Sequence, residues 1–259
     1  MSTETVGDLT RAWRKRRGIS QLGLALDADV SARHLSFVES GRASASRELL
    51  LRLGEQLTMP LRDRNRLLVA GGYAPVFNAR GLDDPDMAPA LAAISAVLDA
   101  SAPYPALVVD PLWNLVRANQ PAQKLLEGLP SRLATPPVNV LRATLAPEGL
   151  APRIANLPEW RHHLLARLRA DFTASGNAGL LTLHDELAAI PVPASKAPPA
   201  HMARIAVPLM LGIPGGPVLS LISTTTVFGT ANDITLAELT LESFFPADAS
   251  TRDFFLAHG

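Results

Sequence analysis

The stretch Ser20-Gln21-Leu22-Gly23-Leu24-Ala25, continued by Val30-Ser31 and Glu39-Ser40-Gly41-Arg42, decides how the first part of this 259-residue chain is read. Ser20 is a capping residue, because its hydroxyl satisfies an N–H group that a helix start leaves open. Leu24 and Ala25 then point inward from a second helix. Asp27-Ala28-Asp29 is a tight connection, and aspartate tolerates the left-handed backbone. Ser31 caps a third helix with Leu35 and Val38 on its apolar face, and Gly41 ends it. Two short helices joined by so tight a turn cannot lie side by side. Ala25 is small where they meet, and Val30 plugs the angle between them. The third helix is expected to project its first turn outward, a shape that suits the major groove of DNA. Its N-terminus would direct free N–H groups and positive dipole at phosphate.

Working outward, Leu9, Ala12, Trp13 and Arg16 lie at helical spacing before Gly18 interrupts. Ser46 caps a fourth helix with Leu49, Leu53 and Leu57 at four-residue steps, and Pro60 closes it. Arg62 to Ala70 form a fifth, ended by Gly71-Gly72. Taken together, Ser-Gln-x-x-Leu-Ala, Val-Ser and Glu-Ser-Gly-Arg, followed by a Ser-capped Leu-rich helix, resemble the helix-turn-helix of the Cro and phage-repressor type, the xenobiotic-response-element family. The resemblance covers residues 7–70 and implies sequence-specific binding of double-stranded DNA. By that resemblance Gln21 approaches the backbone. Ser31, Ala32, Arg33, His34 and Phe37 face the groove, and Arg42 reaches a phosphate. Arg33 is the candidate for a bidentate contact with guanine. Two positions depart from the pattern: Asp29 stands where glycine is usual, and Ala45 where proline is often found. Ala32 and Phe37 replace the family's glutamine-type readers, so the operator sequence does not follow.

The formal net charge is zero, but it is unevenly spread. Residues 1–80 carry 13 Lys plus Arg against 8 Asp plus Glu, and the rest carry 11 against 16. A basic first part joined to an acidic remainder fits one domain that touches phosphates and one that does not. The run Arg14-Lys15-Arg16-Arg17 by itself reads as a solvated helix face. There is no cysteine, which rules out disulfides and thiolate metal sites. Met1 to Asp8 does not read as a secretory leader, and no apolar run reaches the roughly 18 residues of a membrane span. A cytoplasmic protein without membrane contact is expected.

Residues 1–72 thus read as an all-α five-helix domain, 73–89 as a linker and 90–259 as a second domain. Within the latter, Met87 to Ala100 and Pro158 to Thr173 have helical patterns, and Asn119 caps a helix through Glu127. Ala106 to Asp110, Trp113 to Arg117 and Ala178 to Leu183 have strand character. Arg204 to Leu211 and Pro217 to Phe228 form a hairpin around Gly215-Gly216. Pro191 to Pro199 is a loop, and Thr235 to Phe244 and Ala249 to Ala257 are closing helices. The class is α+β with one small antiparallel sheet.

Two segments carry a second resemblance. Val108 to Asn119 (Val-Val-Asp-Pro-Leu-Trp-Asn-Leu-Val-Arg-Ala-Asn) and Val227 to Asp248 are similar to the ligand-binding domain of MmyB-like transcription regulators. The resemblance spans residues 85–257. It implies a PAS-like fold, a small antiparallel sheet wrapped by helices, with a pocket for an apolar small molecule such as a fatty acid. Trp113, Leu115 and Phe228 are the candidate ligand residues; each would serve equally in a dry core. A homodimer is expected on DNA, because two half-sites call for two helix-turn-helix units. Two other functions stay open for the second domain: a dimerisation or protein-contact module, and an enzyme. Against the enzyme, His162-His163 point in different directions and read as surface residues, so they make no two-ligand face. Gly212-Ile213-Pro214-Gly215-Gly216 lacks the ending of a phosphate loop. Asp185-Glu186 has no visible acid–base partner, and no cofactor is expected.

Overall fold

The structure is a computed structural model that describes residues 4–191 and 206–258. Most of the expected loop Pro191 to Pro199, and the first two residues of the expected strand Arg204 to Leu211, lie outside the described residues. The chain divides into two compact units, one of residues up to Arg80 with Thr230–Ala237, the other of Gly81–Gly229 with Glu238–Gly259. No helix among the described residues is long and apolar enough to cross a membrane.

The first unit is built on five helices: α1 (Val6–Arg16), α2 (Gln21–Asp27), α3 (Ala32–Glu39), α4 (Arg47–Gln56) and α5 (Leu61–Ala70). Ser20, Ser31 and Ser46 each cap the helix that follows, their hydroxyls accepting from the N–H of Gly23, His34 and Leu49. Thr5 and Asp8 form a reciprocal capping box on α1. Leu24, Leu35, Leu53, Leu57, Leu67 and Leu68 are buried in one core, each contributing about 1.5–3 kcal/mol on burial. Asp29 adopts the expected left-handed backbone, with φ 53°. α1 meets the end of α3 at backbone contact, since a Cβ on Gly7 would sit 2.3 Å from the Glu39 carbonyl oxygen.

Residues 73–80, expected in a linker, belong to this unit by their contacts. The Asn65 amide accepts from the N–H of Val76 and Phe77 and donates to the Phe77 carbonyl. Residues 230–237 join them. The Ile234 N–H donates to the Asn78 carbonyl at 2.7 Å, and Asp233 pairs with Arg80 at 3.2 Å.

The second unit holds a five-stranded antiparallel sheet of β1 (Ala106–Val109), β2 (Leu115–Ala118), β3 (Leu209–Gly212), β4 (Val218–Val227) and β5 (Thr240–Pro246), in the order β2-β1-β5-β4-β3. Its helices are α6 (Ala88–Ala100), α7 (Gln120–Leu126), α8 (Ser131–Ala134), α9 (Val140–Leu145), α10 (Leu157–Ser175), α11 (Ala178–Ala188) and α13 (Ala249–His258). The short α12 (Ile234–Glu238) begins in the first unit and ends in this one. The expected capping of a helix by Asn119, the hairpin around Gly215-Gly216 and the α+β class are all present.

Two segments differ from expectation. Ala178 to Leu183 is the first half of α11, not a strand. Asn177 caps it after the left-handed Gly176, and its buried Leu180, Leu183 and Leu187 recur at helical spacing against Trp160, Leu164 and Leu168 of α10. Thr235 to Phe244 is not one helix. It stops at Glu238, and Thr240 to Phe244 enter the central strand β5, paired with both β1 and β4. A strand covered on both faces loses the alternation that marks a half-exposed one, and β5 buries Leu241, Glu242 and Ser243 in succession. α8 and α9, one and two turns long, are too short to show a period.

Candidate nucleic-acid interface and ligand cavity

In the first unit, the angle between α2 and α3 is held from inside. The turn closes with the Val30 N–H donating to the Ala25 carbonyl at 2.9 Å. At the far end of α3, Glu39 is buried and its carboxylate accepts from Arg14 Nε at 2.7 Å and Nη2 at 3.0 Å, and from Gln21 Nε2 at 3.0 Å. One carboxylate therefore ties α1, α2 and α3 together. The bond to Glu39 raises the Arg14 pKa, so the guanidinium stays charged.

This framework presents the outer face of α3. Ser31 and Arg33 are exposed, and Ala32, His34 and Phe37 are half-buried. The Ser31 hydroxyl is spent on its own helix, and Ala32 leans on the core. The Arg33 guanidinium lies 5.3 Å from the Phe37 ring centroid, a cation–π contact that stiffens a long side chain before any partner arrives. Arg42 is exposed just past the helix, its N–H bound to the Phe37 carbonyl at 2.8 Å. Gln21, at the start of α2, keeps one amide hydrogen on Glu39.

The basic run of α1 is not a solvated face. Arg14 is engaged by Glu39. Arg17 donates through Nε to the Leu57 carbonyl at 2.9 Å and through Nη2 to the Thr58 carbonyl at 2.8 Å, at the negative end of α4. Arg16 and Arg17 both lie over Trp13. Lys15 alone of the four is exposed. Long-range pairing overrode the local reading.

In the second unit, the sheet and its helices enclose a narrow apolar cavity of about 80 Å³. Leu107 of β1, Leu141 of α9, Trp160 and Leu164 of α10, Leu211 of β3 and Phe244 of β5 contribute to its wall. Trp113 lines it too. It sits at φ 65° in the turn between β1 and β2, an outlier for so bulky a residue. The Asp110 carboxylate accepts from the N–H of Leu112 and Asn114, and the Trp113 carbonyl accepts from the Val140 N–H at 3.0 Å. These bonds fix the strained turn and aim the indole under Arg167, 4.6 Å from its guanidinium carbon. Of the other two candidates, neither Leu115 nor Phe228 lines this cavity; Leu115 packs against the core and Phe228 lies half-buried just past the end of β4.

Two charged side chains, missed in the sequence reading, reach the cavity wall. Arg167 donates to the buried Glu242 through Nη2 at 2.6 Å and Nη1 at 3.0 Å, and Thr225 Oγ1 adds a bond at 3.0 Å. Burial raises the pKa of nearby Asp171, opposed by Arg167 and by a bond from Trp113. His163 is half-buried rather than a surface residue, its ring 5.2 Å from that of Trp160. Burial, with Arg167 second, holds its pKa below the ordinary value.

Two family descriptions match. The helix-turn-helix matches residues 11–63, and "MmyB-like transcription regulator ligand binding domain" matches residues 91–256, more than half of the chain. Among solved structures the chain is similar to the clp gene regulator ClgR from Corynebacterium glutamicum. The identity is 27% over 38% of this chain and 90% of that one, with a TM-score of 0.23. No curated protein matches. The exposed α3 face and the cavity fall inside the two matched regions, and the chain belongs to the transcription regulators that join a DNA-binding helix-turn-helix to an MmyB-like ligand-binding domain.

Proposed function

We propose that this regulator is a one-component sensor, cytoplasmic and homodimeric on its operator. In this reading Arg33 contacts a guanine edge, with Ser31, Ala32, His34 and Phe37 along the groove. Gln21 and Arg42 hold phosphates. An apolar small molecule carrying an acyl chain, as a fatty acid does, enters the second unit. The carrying observation is that the apolar cavity walled by Trp113, Trp160 and Phe244 lies within the matched ligand-binding region. The strand order β2-β1-β5-β4-β3 supports a PAS-like architecture around it. For such a ligand to regulate, it must bind the DNA-competent and incompetent states unequally. A tenfold change in operator affinity needs only about 1.4 kcal/mol of coupling.

The test is native mass spectrometry of the purified full chain, joined to a mobility shift on operator DNA with and without the extracted compound. Ala122→Phe, which fills a small position on the cavity wall, should block uptake and abolish the response while leaving ligand-free DNA binding intact. If no apolar molecule binds, or if binding leaves operator affinity unchanged, the second unit is instead a dimerisation or protein-contact module.

A further inference from the structure

We infer that the cavity selects a neutral apolar ligand, such as an alcohol or ester, over one that carries a free carboxylate. This rests on the reading of the cavity as a ligand site. Among the described residues on its wall, Arg167 and Glu242 are the charged ones. A fatty acid would look to Arg167 for its counter-ion. That arginine is already neutralised, bidentate on a carboxylate that is itself buried and takes a third bond from Thr225. Asp171 also lies within electrostatic reach of the same guanidinium. A ligand carboxylate would be the third acid around one cation, in a site where an uncompensated charge is far costlier than in water. His163 offers no second cation there, because it is not on the cavity wall, and burial and Arg167 disfavour its charged form.

The experiment titrates the full chain at pH 7.5 with dodecanoic acid, 1-dodecanol and methyl dodecanoate, read by tryptophan fluorescence, since Trp113 and Trp160 both line the site. The alcohol and ester are expected to bind at least tenfold more tightly than the acid. Glu242→Gln should raise the ratio of acid to alcohol affinity at least tenfold, because it frees Arg167; retained alcohol binding shows that the variant folds. The double variant Arg167→Met with Glu242→Met removes both charges and should leave the ratio within twofold of the wild-type value. Acid binding as tight as alcohol in the wild type, or an unmoved ratio in Glu242→Gln, overturns the charge argument. Failure of all three probes to bind removes the ligand reading itself, a result distinct from loss of head-group preference.

Discussion

Each unit buries a glutamate that grips an arginine through two hydrogen bonds, and the surroundings of the two pairs differ. The Glu39 side chain is 3% exposed and that of Glu242 is 2% exposed. Glu39 is held by Arg14 and Gln21 at its carboxylate and by the start of α1 against its backbone. Glu242 instead stands on the wall of a cavity. A buried ion pair is weak evidence of stability, since desolvation consumes most of its attraction. What the two have in common is therefore orientation. Glu39 orients helices, and Glu242 orients a charge at the edge of empty space.

The comparison is sharpest where a partner is removed. Glu39→Ala leaves Arg14 half-desolvated with only the Ile19 carbonyl. The first unit should lose about 3–5 kcal/mol in urea unfolding. Glu242→Ala should cost the second unit clearly less, because Arg167 lies on the cavity wall and keeps its contact with the face of Trp113. Equal losses would break the distinction. Next in size is Arg33→Ala, which separates reading from scaffolding. It should cost about 1–3 kcal/mol on the operator, little on random DNA, and nothing in stability. Equal loss on both DNAs would make Arg33 a backbone contact. Arg42→Ala should weaken all DNA alike and reduce the salt slope by roughly one; an unchanged slope removes it from the interface.

The smallest effect belongs to His163. Its folded pKa lies below 6.5, so between that lowered value and pH 6.5 the unfolded chain binds more protons. Stability of the second unit should be full above pH 6.5 and decline as pH falls through that window. His163→Gln should flatten the decline in a pH series of denaturation curves. A slope identical to wild type would assign it to other groups.

Local signals and long-range ones were unequally legible. The caps at Ser20, Ser31 and Ser46 and the left-handed Asp29 are settled within four residues of chain, and the first unit was read nearly element by element. The Arg17 contact spans 40 residues, and the Arg167–Glu242 pair spans 75. No periodicity encodes either. The cavity was legible only through the Asp110 to Asn114 turn that strains Trp113 into place. Its other walls come from α9, α10 and β3, and no short pattern in the sequence links those elements. Glu242 was hidden because a buried charge inside a short apolar run looks like the polar face of a helix.

Residues 230–237 carry one more lesson, about modularity. The chain passes from one unit to the other at 80–81, again at 229–230 and back at 237–238. The units are therefore not beads on a string. A chimera that exchanged everything after residue 80 for a relative's sensor would also replace Ile234 and Asp233, which close over Asn78 and Arg80. Transplanting a sensor specificity thus means carrying the matching patch on the reader with it. A protease cut between residues 81 and 89 would leave residues 230–237 of the first unit on the other fragment.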